Sequence, residues 1–350
     1  MGPNHAPVKI VELVVRQLEP NLTAILPGKC QARCRFCLEP EGPRPPSVEE
    51  WLGAFRSLLQ QLPPLFRVLS LSGGEPSLSP VFHDVLDLLR QHRDVGRLRR
   101  IVLTSNGRVE GMTRHLDALG RAVTHVNISR HAVDDELNAR IFRTHDVPTT
   151  SELALLIAQL NRRGVPVNLN CVYSELEAFG RRSREDDIDE WRADASQFVN
   201  FARTVGASSV TFRHDHREPH LEQPTPLEAA FEEIQTIHSA ECRSCRVVGK
   251  LISGMAVNFK RSAYEPIKFH DRSELYEMVF HSDGRLYRDW SRRHPIALPL
   301  EPALDLPMNL EPLAVGRGNY QGLATSECDQ AQPQALNRCQ LMKTPPGSRE

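Results

Sequence analysis

Three cysteines stand within eight residues, Cys30-Gln-Ala-Arg-Cys34-Arg-Phe-Cys37, at a CxxxCxxC spacing. Thiolates are the protein ligands that iron–sulfur clusters prefer. A loop of this spacing can wrap three of them around one face of a cube. One iron of a four-iron cluster then lacks a protein ligand and can bind a small molecule. The same residues could instead contribute to zinc binding in a non-catalytic module, and spacing alone leaves that reading open. Structural zinc, however, takes four ligands, commonly in CxxC pairs.

Other chemistry-bearing residues follow along the chain. Leu71-Ser72-Gly73-Gly74-Glu75-Pro76 offers two glycines that let backbone approach a ligand, and a carboxylate in Glu75. Gly-Gly before Pro also reads as a plain turn. Thr104-Ser105-Asn106-Gly107 is polar where a strand gives way to a loop. In Asn127-Ile-Ser129 and Asn168-Leu-Asn170, alternation puts both polar residues on one strand face. Asn168 and Asn170 are expected to point into an interior, and Cys171 toward helices as a buried thiol. Arg213-His214-Asp215-His216-Arg217 could hold a carboxylate or phosphate, or assist proton transfer; a solvated charged loop is the plainer reading. Cys242-Arg-Ser-Cys245 is a CxxC pair. With Cys328 and Cys339 it supplies candidate ligands for an auxiliary iron–sulfur cluster or a zinc ion.

These residues need a scaffold, and the hydrophobic pattern supplies one. Strands are predicted at 21–26, 67–71, 100–104, 122–129, 165–172 and 208–213. Helices are predicted at 47–62, 81–89, 112–119, 134–142, 150–162 and 188–204. Ser47 and Glu50 form a capping box, and Trp51, Phe55, Leu58 and Leu59 make an apolar stripe. Six βα units with helix-length crossovers require parallel strands. Right-handed crossovers curl such a sheet toward a partial, open (β/α)6 barrel of the TIM type. Its site belongs at the C-terminal ends of the strands.

After about residue 220 the alternation stops. Residues 224–238 read as a helix, and 276–290 as a hairpin around Asp283-Gly284. The expected divisions are an N-terminal segment (1–19), the barrel core (20–220), an extension with the hairpin (221–295) and a Pro/Gln-rich tail (296–350).

Composition sets the outer limits. The chain has 350 residues, 40% hydrophobic and 25% charged, enough for a large core. A formal net charge of −1 argues against nucleic acid and an anionic membrane surface as partners. No apolar run approaches the roughly 20 residues that span a bilayer, and residues 1–9 lack a signal-peptide core, so a cytoplasmic location is expected. Eight cysteines in a reducing compartment point to metal or redox chemistry, not a disulfide framework.

The CxxxCxxC loop after the first strand, with aromatic Phe36 before the third cysteine, resembles the signature of the radical S-adenosylmethionine (SAM) superfamily. Gly73-Gly74-Glu75 at the second strand end is similar to that family's GGE motif. The resemblance covers about residues 20–215. It implies a [4Fe–4S] cluster on Cys30, Cys34 and Cys37, with SAM held near Phe36, Gly73, Gly74, Glu75, Asn106, Ser129 and Arg143. It implies Glu75 and the glycine backbone at the SAM amino group and Arg143, rather than Arg140, at its carboxylate. The implied reaction is reductive SAM cleavage to a 5′-deoxyadenosyl radical that abstracts hydrogen from a substrate. An external one-electron donor of flavodoxin or ferredoxin type is implied too. The substrate would be a peptide, as in RiPP maturation, or a small metabolite, with nucleoside or sugar modification as the alternative. Many relatives read Ser-Leu-Asp where this chain reads Ser129-Arg130-His131, which alters the pocket wall. His131, Asn170, Arg213 and His214 are the candidate substrate or catalytic residues. The hairpin resembles a degenerate SPASM- or twitch-type extension, with Asp289 where relatives place a cysteine ligand.

Overall fold

A computed structural model describes residues 21–37, 46–62, 68–173, 188–215, 224–242, 245–262, 277–288, 290, 292 and 295–296. Six parallel strands form its centre: β1 (Asn21–Leu26), β2 (Val68–Gly73), β3 (Arg100–Ser105), β4 (His125–Ser129), β5 (Val167–Tyr173) and β6 (Ser209–His214). Each pairs with the next in order. The crossovers carry α1 (Val48–Gln61), α2 (Phe82–Asp94), α3 (Val109–Arg114), α4 (Leu116–Ala122), α5 (Asp135–Phe142), α6 (Thr150–Arg162) and α7 (Ile188–Thr204). The predicted single helix at 112–119 is two short helices meeting at His115, whose φ of −115° leaves the helical range.

The strands have one apolar and one polar face. Leu22, Leu69, Leu71, Ile101, Leu103, Val126, Ile128, Leu169, Val210 and Phe212 are buried in a single core under the helices. From α1, Trp51, Phe55, Leu58 and Leu59 join it, each contributing about 1.5–3 kcal/mol over exposure. The alternate positions carry Asn21, Thr23, Ser70, Asn127, Ser129, Asn168, Asn170, Ser209 and Thr211. A closed (β/α)8 barrel fills this inner face with bulky aliphatic side chains. Here the face is mostly polar on β4, β5 and β6, whereas Ile25, Val68 and Val102 keep it apolar in places on β1, β2 and β3.

The chain after residue 220 departs from expectation. Only Pro226–Ala229 is helical (α8); turns and a bend follow at 230–234, and β7 (Thr236–Cys242) begins within the end of the predicted helix. Two unpredicted strands follow, β8 (Cys245–Ile252) and β9 (Met255–Ser262). Ser253 and Gly254 join them with φ of 50° and 78°, the two positive values of a type I′ hairpin. β9 pairs parallel to β6, and β10 (Glu277–Phe280) pairs parallel to β1. The six-strand core therefore gains one parallel strand on each side. The predicted hairpin is present as β10 and β11 (Leu286–Tyr287), with β12 (Pro295–Ile296) beside it. The indole of Trp51 donates to the carbonyl of His281 at 3.0 Å and fastens this hairpin to α1.

The order β12-β11-β10-β1-β2-β3-β4-β5-β6-β9-β8-β7 makes one twelve-stranded sheet whose two ends do not pair. It is an α/β, partial TIM-like barrel, open as expected. Among the described residues no helix is long and apolar enough to cross a membrane. The expected segment 1–19 and nearly all of the tail lie outside the described residues.

Candidate functional site

The cysteine loop leaves β1 through Pro27-Gly28 and is gripped on three sides. Below it lies the end of β2. A Cβ on Gly74 would lie 3.0 Å from both the Cβ and the amide nitrogen of Cys30. Gly73 has φ +147°, and a Cβ there would lie 3.0 Å from the Leu26 carbonyl oxygen. A side chain at either position would force its neighbour to give by a few tenths of an ångström, so the glycine pair lets the second strand end abut the first.

The second grip comes from the end of β3. The Gln31 amide donates to Asn106 Oδ1 at 3.0 Å and to the Asp146 carbonyl at 2.9 Å. Asn106 Nδ2 lies 3.7 Å from Cys30 Sγ, aimed as a donor. The third is α5. The Arg33 amide donates to the Phe142 carbonyl at 2.9 Å, and Ala32 and Cys34 pack on Ala139, Phe142 and Val147. Phe36 meets His131 edge-on at 4.8 Å, and His131 meets Phe142 at 4.7 Å. Within the loop the Cys37 amide turns back onto the Cys34 carbonyl at 3.2 Å.

Glu75 is buried beneath this loop. Its Oε1 accepts from the Ser77 amide (3.0 Å), the Ser77 hydroxyl (2.7 Å) and the Ser105 hydroxyl (2.8 Å), and Oε2 from the Asn106 amide (2.8 Å). Burial raises its carboxyl above the ordinary range, against the pull of these donors. The carboxylate thus clamps the ends of β2 and β3 together under the cysteines.

The wall beyond β4 is set by the residues that depart from the family pattern. Arg130 is 1% exposed, and its guanidinium donates to the carbonyls of Ala132, Pro148 and Val133 at 2.6, 3.0 and 2.7 Å. It also pairs with Asp135 at 2.6 Å. Asp135 in turn caps α6 through Thr150. His131 is buried, its amide donates to Asn138 Oδ1 at 2.9 Å, and its Nδ1 accepts from the Val172 amide at 3.1 Å. Burial, with Arg130 nearby, pushes it down to about 3, so the ring is neutral. Gln31, Arg130 and Asn138 carry much of this geometry. Nothing in their residue types or spacing singles them out in the sequence.

The remaining candidates separate. Ser129, half-buried at the end of β4, is the register partner of Asn170. Asn170 lines the polar face and accepts from Asn168 at 2.8 Å. Arg143 is exposed at the C-terminus of α5, in left-handed conformation (φ 56°), next to the Phe142 carbonyl that holds the cysteine loop. Arg213 shares the polar face, but His214 does not: it turns to the helix side, its ring 5.6 Å from that of Tyr173. Cys171 is buried on that side, as expected, and burial raises its thiol, keeping it protonated. Cys242 and Cys245 are register partners at the tip of the β7–β8 hairpin, at the sheet edge. Cys328, Cys339, His216, Arg217 and Asp289 lie outside the described residues.

Comparison with known proteins finds a family over part of the chain. Residues 25–177 match the family model described as Radical SAM superfamily. That family implies a [4Fe–4S] cluster, SAM and a source of electrons. None of the curated proteins matches the chain. Among solved structures, Streptococcus suis SuiB bound to precursor peptide SuiA is 15% identical, with a TM-score of 0.42 over 57% of this chain and 40% of SuiB. Native anSMEcpe with bound AdoMet is 15% identical, with a TM-score of 0.40 over 58% and 54%. The methyltransferase TsrM from Kitasatospora setae, with tryptophan and aza-SAM bound, is 16% identical, with a TM-score of 0.38 over 66% and 42%. The chain thus spans about half or less of the length of these proteins.

Three thiols in one loop are the donor set that an iron–sulfur cluster takes. Zinc–sulfur bonds of about 2.3 Å bring tetrahedral thiolates within about 3.8 Å of one another. Among the described residues no three His, Cys, Asp or Glu side chains gather in that way. Cys30 is exposed as a residue. Partial desolvation and the nearby charges of Glu75 and Cys37 nevertheless push its thiol up to about 11, an environment that a cationic iron partner offsets.

Proposed function

We propose that this protein is a radical SAM enzyme whose cluster is held by Cys30, Cys34 and Cys37 and whose substrate lies against the polar face of the strands. The single observation that supports it best is the close fit of Gly74 under Cys30, which unites the two strand ends that carry the cysteine and GGE motifs. When bound, the cluster and SAM supply reductive cleavage of the sulfonium and a 5′-deoxyadenosyl radical that removes hydrogen from a substrate.

The chain's own residues do the positioning. Phe36 offers an aromatic face beside the third cysteine, held in place by His131. By the family resemblance, the backbone of Gly73 and Gly74 and the Glu75 carboxylate belong to the SAM amino group. Asn106 steers the first thiol and, with Ser129 and Arg143, supplies polar contacts for the rest of SAM. Asn170 and Arg213 face the substrate side. His131 stays neutral and shapes the wall rather than moving protons. An external one-electron donor of flavodoxin or ferredoxin type completes the system. Cys242 and Cys245, with Cys328 and Cys339, remain candidates for a second metal site.

Anaerobic reconstitution tests this. The protein should take up about four irons per chain, show broad visible absorbance, and release 5′-deoxyadenosine and methionine from SAM when reduced. Cys30→Ala, Cys34→Ala and Cys37→Ala should each abolish both properties, whereas Cys171→Ala should keep its iron. A colourless, zinc-loaded protein that leaves SAM intact would refute the assignment.

A further inference from the structure

Two side-chain amides stand between the cysteine loop and the end of β3, and backbone groups fix which way each one faces. Gln31 Nε2 donates to the Asp146 carbonyl at 2.9 Å and to Asn106 Oδ1 at 3.0 Å. The Arg108 backbone amide donates to the same Asn106 oxygen at 3.2 Å. A backbone carbonyl can only accept, and a backbone N–H can only donate. The Asp146 carbonyl therefore requires the nitrogen end of Gln31, and the Arg108 amide requires the oxygen end of Asn106. Turning either side chain over would set like groups against each other. The nitrogen of Asn106 is thereby left to face Cys30, 3.7 Å from Sγ.

The Asn106 main chain is held as well, its amide donating to Glu75 Oε2 at 2.8 Å. The residue is 7% exposed, so water competes poorly for its side chain. As a free thiol, Cys30 reaches Gln31 Oε1 at 3.9 Å. A thiolate on iron has no proton for that contact and acts only as an acceptor, which Asn106 serves. A donor on a ligating sulfur favours the reduced, more negative state of a cluster, and such hydrogen bonds are among the features that set cluster potentials. Gln31 thus meets the cluster site through a second residue.

We propose that Gln31 is a positioning residue: through Asn106 it holds an N–H donor on the Cys30 sulfur and so raises the reduction potential of the bound cluster. A higher potential eases electron transfer from the external donor. The inference concerns the cluster of the radical SAM reading above and rests on it.

The test is a redox titration of the reconstituted full chain without SAM, followed by electron paramagnetic resonance of the reduced cluster. Gln31→Met keeps the side-chain length and loses the donor. It should lower the midpoint by roughly 30 mV, about a threefold change in a one-electron equilibrium, and Asn106→Ala by about 60 mV, or about tenfold. The double variant should match Asn106→Ala alone, since Gln31 acts through Asn106. An unchanged midpoint in Gln31→Met overturns the inference, and so do shifts that simply add in the double variant. A Gln31→Met protein that no longer holds about four irons overturns it too, because the residue would then be structural. If Asn106→Ala holds no cluster, exchange into heavy water decides instead. The coupling of an exchangeable deuteron to the reduced cluster should weaken in Gln31→Met, and an identical coupling overturns the inference. A wild-type protein that builds no four-iron cluster would refute the function on which the inference rests.

Discussion

An added carbon on Gly74 would stand 3.0 Å from the Cβ of Cys30. The GGE motif is therefore the floor on which the first cysteine sits, whatever its backbone offers a ligand. Gly74 has an ordinary φ, so the restriction is purely steric. Gly74→Ala should displace the loop, costing about 1–3 kcal/mol as overpacking does. Iron retention after anaerobic gel filtration should fall, whereas Gly53→Ala, where an added Cβ meets nothing within 4 Å, should leave it unchanged.

Arg130 gives the second prediction. Three carbonyls and Asp135 depend on its guanidinium. Arg130→Met would leave all four without their donor and should destabilise the protein by about 3–5 kcal/mol, as removal of one partner from a buried pair does. Arg130→Lys should recover little, because a single ammonium cannot reproduce the planar fork. Urea midpoints of the two variants against wild type give the answer, and a near-native Arg130→Lys would contradict this account.

The third prediction concerns pH. His131 has a folded-state value near 3, far below the ordinary 6.5, because its buried ring cannot accept a proton cheaply. The unfolded chain binds a proton there below about pH 6.5, and the folded chain does not until about pH 3. Its contribution to stability is thus whole above pH 6.5 and shrinks as pH falls. Between pH 6.5 and 5 the loss steepens from about 0.7 toward about 1.4 kcal/mol per unit. His131→Asn, whose oxygen can take over the bond from Val172, should flatten that part of the urea-midpoint profile. An unchanged slope would show that another group is responsible.

Much of this was legible because period and spacing report directly on structure. β1, α6 and α7 have the predicted bounds, Asn21–Leu26, Thr150–Arg162 and Ile188–Thr204. Ser47 caps α1 as its capping box required. The alternation that sent Asn170 inward and Cys171 toward the helices also holds. What failed was of two kinds. Residues 236–262 fold as three strands although 224–238 carries helix-like apolar spacing, since sheet pairing overrides local pattern. The Ser253-Gly254 turn between Val247-Val248 and Val257-Asn-Phe259 was the available signal. The other failures are pairings between distant segments, such as Gln31 with Asn106 and Arg130 with Pro148. No window of sequence displays a contact between residues so far apart in the chain.

The sharp contrast between the two sides of the strands has one more consequence. Sliding any central strand by one residue would drive asparagines and threonines among the helices and turn leucines inward. The oily side therefore locks alignment by itself and asks nothing of the wet side. Exchanges there cost hydrogen bonds among neighbours such as Asn168, Asn170 and Ser209 but leave the strand alignment in place. A lineage built on this scaffold can change what it grips while inheriting its alignment intact.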